Sequence, residues 1–228
     1  MPRDRTEPQP PRLPADLDPA GTWSMTEDGE ASGLLLSGDF SDQSASDVIL
    51  DGCRLEDCRL IGASLRRLRL TDVVIHNADL SGADLDEVSL TRVQISDCRL
   101  SGAIFTRGRL LDVSFTNCRM DGANFAMADA NRVTFDDVDL TESDFSAAKL
   151  VAARLLDCNL TRAEFTKAAT SGVRFHGSDL EGLRGSQYLS GAIISSAQVL
   201  PVALGVLAAL GIVIDDEPDT RGVGSKGR

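Results

Sequence analysis

Large apolar side chains recur every fifth residue over most of the chain. The series starts at Phe40, runs through Leu50, Leu55, Leu60, Leu65, Leu70 and Ile75, and continues to Leu180. Only Ala45, Ala130 and Thr170 weaken it. A small apolar residue precedes most members by two positions, as with Val48, Cys53, Cys58, Ala63, Val73 and Ala78.

No regular element has this period. Five residues of helix leave the next apolar group about 140° away from the stripe. A continuous strand has period two, so an odd repeat would throw alternate units onto the wrong face. The pattern fits a short extended piece that points its small and large residues inward, followed by a two-residue corner that resets the phase. The chain then winds into a coil with the large residues stacked inside.

Residues stacked one coil apart should resemble each other, and a spacing of twenty gives the matches. Gly62, Gly82, Gly102 and Gly122 align, as do Phe105, Phe125, Phe145 and Phe165. So do Phe115 and Phe135, and the polar corner series Asp57, Asn77, Asp97, Asn117, Asp137 and Asp157. A spacing of fifteen takes Gly62 to Asn77 and Arg92 and destroys the column. Four units therefore make one coil. Repeats of this kind bury a core only by stacking on neighbours, and their ends must be capped.

Units such as Ala78-Asp79-Leu80-Ser81-Gly82 and Ala83-Asp84-Leu85-Asp86-Glu87 resemble those of pentapeptide-repeat proteins. The resemblance covers roughly two-thirds of the chain. It implies an all-β solenoid, a right-handed quadrilateral β-helix with a small C-terminal helical cap. Parallel strands about 4.8 Å apart make roughly seven coils a rod on the order of 34 Å long.

The flanks divide the chain further. Residues 1–20 carry Pro2, Pro8, Pro10, Pro11, Pro14 and Pro19 among charges, which predicts a disordered arm. Residues 21–37 predict an N-terminal cap, with a turn at Asp28-Gly29 and Trp23 covering the open end. The repeat is assigned to 38–182, a helical module to 183–214 and a disordered tail to 215–228. In that module Ser195 or Ser196 suits an N-cap, Pro201 a first helical turn and Gly211 a C-cap, while Ile212–Ile214 reads as an edge strand.

The module is apolar on all sides at Val199, Val202, Leu204, Val206, Leu207 and Leu210. It reads as a cap on the last coil, as a cap that is also a homodimer surface, or as a membrane anchor. The apolar run is shorter than the roughly 18–20 residues a bilayer requires. The Leu183-Arg184-Gly185 step followed by Ser195–Ile214 is similar to the module that joins two rods in pentapeptide-repeat proteins of the mycobacterial fluoroquinolone-resistance type. A homodimer is the expectation, with no membrane span.

Composition narrows the function. The formal net charge of −12 argues against direct nucleic-acid binding, which calls for basic patches. Arg54, Arg59, Arg66, Arg67 and Arg69 nevertheless make the first coils locally basic. Cys53, Cys58, Cys98, Cys118 and Cys158 all fall at the small inward position and read as buried free thiols of a reducing compartment. No apolar stretch follows Arg3 and Arg5, so a cytoplasmic location is expected. No catalytic residue, metal or cofactor is expected either. His76 and His176 lie five coils, roughly 24 Å, apart. Asp57, Ser96 and Asp97 near His76 form a solvated cluster on a convex rod, without the pocket that catalysis needs.

The carboxylates remain. Asp57, Asp97, Asp137 and Asp157 fall on one corner; Asp79, Asp139 and Asp179 on one face; Asp84, Asp144 and Glu164 on another. Family members that act on DNA gyrase are thought to imitate the duplex, so the resemblance implies that these residues stand in for phosphates. Acidic residues outnumber basic ones by 24 to 16 between Asp39 and Glu181. That is about one net charge per 4 Å, against about one per 1.7 Å in duplex DNA. Two expectations follow: binding of DNA gyrase or another type II topoisomerase with an effect on fluoroquinolone sensitivity, or a scaffold for a different protein partner.

Overall fold

The computed structural model describes residues 7–21 and 23–215. Its strands are β1 (Asp18–Pro19), β2 (Glu30–Ser32), β3 (Leu34–Asp39), β4 (Ile49–Asp51), β5 (Arg54–Arg59), β6 (Arg69–His76), β7 (Ser89–Ser96), β8 (Arg109–Thr116), β9 (Asp129–Asp136), β10 (Lys149–Val151) and β11 (Arg154–Leu156). All pair in parallel, and from β4 to β11 the register advances by one coil of twenty residues. Arg69 thus faces Ser89, which faces Arg109, then Asp129 and Lys149. The result is a parallel β-solenoid of about seven turns.

The five-residue period has a backbone cause. A left-handed φ recurs every five residues, from Asp42 through Asp57, Gly62 and Asn77 to Gly182. This residue turns the corner, and glycine, asparagine and aspartate tolerate the conformation best. The same conformation is imposed on Arg92, Met127, Ala147 and Lys167, where the stacked neighbours override local preference. Each eight-residue strand bends at its fourth position, so one strand serves two faces of the coil.

The core is filled in single file. Phe105, Phe125, Phe145 and Phe165 stack face to face, with centroids 4.7, 5.0 and 5.0 Å apart. Phe115 and Phe135 form a second stack at 4.9 Å and meet the first edge-on. Offset and edge-on contacts are the favourable aromatic geometries. All five cysteines are buried and free. Burial pushes the Cys58 thiol up to about 11 and Cys158 up to about 12, so neither offers a thiolate.

The ends depart from the sequence-based expectation. The first coil opens before residue 38, because Glu30 pairs with Ile49 and Leu35 with Arg54 at a nineteen-residue offset that a bulge at Leu36–Gly38 corrects. Trp23 is half-buried on the core and its Nε1 donates to Glu30 O at 3.1 Å. At the other end Arg174 still bridges Ile193, so coil geometry persists beyond residue 182. Ser195 caps a 3-10 turn, Ser196–Gln198, that runs directly into helix α1 (Val199–Ala209) with Pro201 in its first turn. The buried Gln198 side chain donates to Phe175 O, which also accepts from Ser178 N, and to Ser178 O, tying the start of the helical cap to the last coil. Gly211 ends α1 with φ +72°. Residues Ile212–Ile214 form no strand: they are exposed, with no neighbouring strand to supply a ladder.

Residues 7–20, expected to be disordered, are instead docked. Prolines cannot build a core, but they can lie on the surface of one: residues 7–14 run back along the outside of the rod, and Asp18–Pro19 pair with β3. Residues 1–6 and the tail 216–228 lie outside the described residues.

Candidate partner-binding surface

The corner series Asp57, Asn77, Asp97, Asn117, Asp137 and Asp157 forms one exposed ridge parallel to the rod axis, every member with φ between 50 and 56°. Its N-terminal part is a hydrogen-bonded ladder: Asn77 Nδ2 donates to Asp57 and Asn117 Nδ2 to Asp97, each at 2.6 Å. Among the described residues the ladder does not extend to Asp137 or Asp157, both of which are exposed. Asp157 Oδ1 also fills the space above Gly177, where an added Cβ would lie 1.8 Å away.

The face carboxylates have a second job. Asp79 accepts from Ser81 N and Oγ at 3.0 and 2.6 Å, and Asp139 from Thr141 N and Oγ1 at 3.1 and 2.6 Å. Asp84, Asp144, Glu164 and Asp179 each accept from the backbone N–H two residues on. These residues fasten their own corners, as Asx turns do. Nor are they a uniform sheet of charge. One face reads Arg59, Asp79, Arg99, Arg119, Asp139, Asn159, Asp179 from coil to coil, and Glu164 meets Arg184 at 3.3 Å.

The buried charges were not legible as a group from the repeat. Asp72, Asp86 and Asp112 are almost fully buried. Arg92 grips Asp72 with Nε and Nη2 at 2.6 and 2.5 Å, and Arg132 grips Asp112 at 2.6 and 2.8 Å. These two-pronged ion pairs hold both carboxyls below the usual carboxylate range. Burial alone would raise Asp86, but Thr106 Oγ1 and Arg66 outweigh it, and Arg107 adds to the pull. Gly52, Asp72, Arg92, Asp112, Arg132 and Ala152 share one corner at twenty-residue spacing, an alternation of sign that the sequence does display.

His76 Nδ1 lies 3.1 Å from Ser96 Oγ and 3.3 Å from Asp97 Oδ2 on the open surface. Among the described residues no group of three His, Cys, Asp or Glu is placed to hold a metal ion.

Helix α1 divides the apolar residues assigned to it. Val202, Val206 and Leu207 are half-buried, and Val202 packs on the core. Gly205 brings the helix against the last coil, since a Cβ there would lie 2.3 Å from Ser186 Oγ. Val199, Leu204 and Leu210 face outward with 54, 43 and 68% exposure, joined by Leu200 at 67%. No helix of the described residues is long and apolar enough to cross a membrane.

Fold and surface define a repeat protein of the parallel β-solenoid class. A family model described as a pentapeptide repeat region matches residues 108–184, and one described as pentapeptide repeats (8 copies) matches residues 39–77 and 69–107. The chain belongs to the pentapeptide repeat family. Among solved structures, it is similar to full-length QnrB1, a plasmid-mediated fluoroquinolone resistance protein, at 19% identity over 81% of this chain and 100% of that one, with a TM-score of 0.38. It is also similar to HetL from the cyanobacterium Nostoc sp. strain PCC 7120, a protein involved in heterocyst differentiation regulation, at 20% identity over 76 and 90% of the two chains, with a TM-score of 0.26. No curated protein matches the chain.

Proposed function

We propose that this protein is a non-catalytic binding rod that offers its exposed carboxylate ridge to a cationic surface on a partner protein. The observation that carries the reading is the corner of Asp97, Asp137 and Asp157, whose carboxylates project from a rigid backbone at fixed multiples of the coil rise. A rigid row of charge loses little conformational entropy on docking and rewards a partner with matching Lys and Arg. The family resemblance supplies a candidate partner, the DNA-binding saddle of DNA gyrase or a related type II topoisomerase, with the rod imitating the duplex. The alternation of Arg99 and Arg119 with Asp79 and Asp139 favours the second reading, a protein partner of mixed charge. We further propose that the outward face of α1 joins two rods and that the protein acts in the cytoplasm.

The test is a gyrase supercoiling assay with purified protein, with and without a fluoroquinolone, at two salt concentrations. Salt-sensitive inhibition or drug protection at low micromolar protein supports the imitation of DNA. No effect at either salt overturns it and leaves the mixed-charge partner to be captured.

A further inference from the structure

The docked N-terminal segment meets the rod through a specific pattern of donors. Gln9 N donates to Asp112 Oδ1 at 3.1 Å and Arg12 N donates to Asp72 Oδ1 at 2.9 Å. At the end nearer the C-terminal coils Glu7 pairs with Arg154 at 3.0 Å. At the other end Pro14 packs on the corner at Gly52, where an added Cβ would meet Pro14 Cδ at 3.1 Å. The segment therefore lies along the Gly52-Asp72-Arg92-Asp112-Arg132 corner and crosses several coils.

Two repeats coincide here. Asp72 and Asp112 are two coils apart, about 9.6 Å at the usual strand spacing. Gln9 and Arg12 are three residues apart, one turn of polyproline II, which rises about 9.3 Å. A polyproline II chain thus brings one N–H to each second coil, in register with the aspartates. The neighbouring Pro8, Pro10, Pro11 and Pro14 have no N–H to leave unpaired, and they hold the segment extended before it docks. Arg92 and Arg132 fix the two acceptors in place, and each acceptor keeps its charge while it receives the N–H. Corner, acceptors and Gly52 clearance together make a built site with its ligand present.

We propose that this corner is a binding site for proline-rich peptides in the polyproline II conformation, and that residues 7–14 are its own tethered occupant. A proline-rich segment of another protein enters by displacing the arm. The required ligand has free N–H groups three residues apart, with prolines around them and an acidic residue two positions before the first. The site lies on the corner next to the carboxylate ridge and is independent of what that ridge binds.

The experiment uses the full chain and a fluorescently labelled synthetic peptide of residues 1–15. Two versions of each are compared, the natural one and one carrying Gln9→Pro and Arg12→Pro. The double change keeps or strengthens the polyproline II conformation and deletes both donors. In fluorescence-anisotropy titrations the natural peptide should bind the substituted chain at least about tenfold more tightly than the natural chain, whose own arm competes at high effective concentration. The substituted peptide should bind the substituted chain at least about tenfold more weakly than the natural peptide, the loss expected for two hydrogen bonds to charged acceptors. Equal binding of the natural peptide to both chains would remove the tethered occupant from the account. Equal binding of both peptides to the substituted chain would show docking by shape alone and overturn the donor register.

Discussion

The backbone N–H of Arg12 sits 2.9 Å from the Asp72 carboxylate, although 60 residues separate the two in the chain. That carboxylate is buried and already gripped by Arg92, so one acceptor ties together an arm, a corner and the next coil. Asp112 repeats the arrangement with Gln9 and Arg132.

This arrangement sets a pH dependence. Arg92 and Arg132 hold Asp72 and Asp112 below the usual carboxylate range. A group with a depressed folded-state pKa contributes stability that is present above its unfolded pKa, about 3.9 for aspartate, and is lost as pH falls through the folded value. The melting temperature should stay level down to about pH 5 and drop below about pH 4. The Asp72→Asn/Asp112→Asn chain should melt lower at pH 7 and lose less between pH 4 and 2. Circular-dichroism melts at constant ionic strength check this; parallel curves for the two chains would refute the assignment.

The aromatic column makes a separate claim about the core. Phe125 stacks on Phe105 at 4.7 Å and on Phe145 at 5.0 Å and is walled in by Phe115 and Phe135. A solenoid held by its strand ladders cannot collapse sideways into a vacated site. Phe125→Ala should therefore cost about 3–5 kcal/mol in urea denaturation. Phe125→Asp should not fold, because the column offers no partner for a buried charge. A loss below about 1 kcal/mol for the alanine variant would mean that the coils repack freely.

The coil was legible in the sequence because its determinants are local and periodic. Leu50 through Leu180 record the inward face, and Gly62 to Gly122 record a corner. What was not legible depended on contacts without a period. The prolines of residues 8–14 read as disorder because composition reports whether a segment can build a core, not whether it can lie on one. Gln198 carries no apolar or periodic signal, yet its amide closes the last coil through Phe175 O and Ser178 O. Ile212–Ile214 suited a strand by propensity, and no edge was there to receive it. For the surface, the acidic columns were visible by counting, while the corner-fastening work of Asp79 and Asp139 emerged only once Ser81 and Thr141 were placed beside them.

That distinction separates two kinds of carboxylate experimentally. Asp137→Asn and Asp157→Asn alter exposed ridge positions and should change stability by no more than about 0.5 kcal/mol. The proposed partner complex should nevertheless weaken severalfold at low salt and show a shallower salt dependence. Asp139→Ala removes the acceptor for both Thr141 donors and should cost about 1 kcal/mol, whereas Asp139→Asn, which keeps an acceptor, should cost less. Paired denaturation and binding titrations read both effects. Unchanged binding by the ridge variants would exclude the ridge as the contact.

Helix α1 gives the last prediction. Gly205 against Ser186 and Val202 against the core fix which side of the helix meets the last coil. Leu200 and Leu204 are exposed beside the last coil, Val199 and Leu210 are exposed as well, and apolar surface of this kind is costly to leave in water. If that face joins two rods, sedimentation velocity at micromolar concentration should give twice the mass of one chain. Leu200→Lys/Leu204→Lys should return a single-chain mass while the coil spectrum is retained. Val202→Lys should instead unseat the cap and lower the melting temperature, because that side chain packs on the core. A single-chain mass for the unaltered protein would leave α1 as a cap alone.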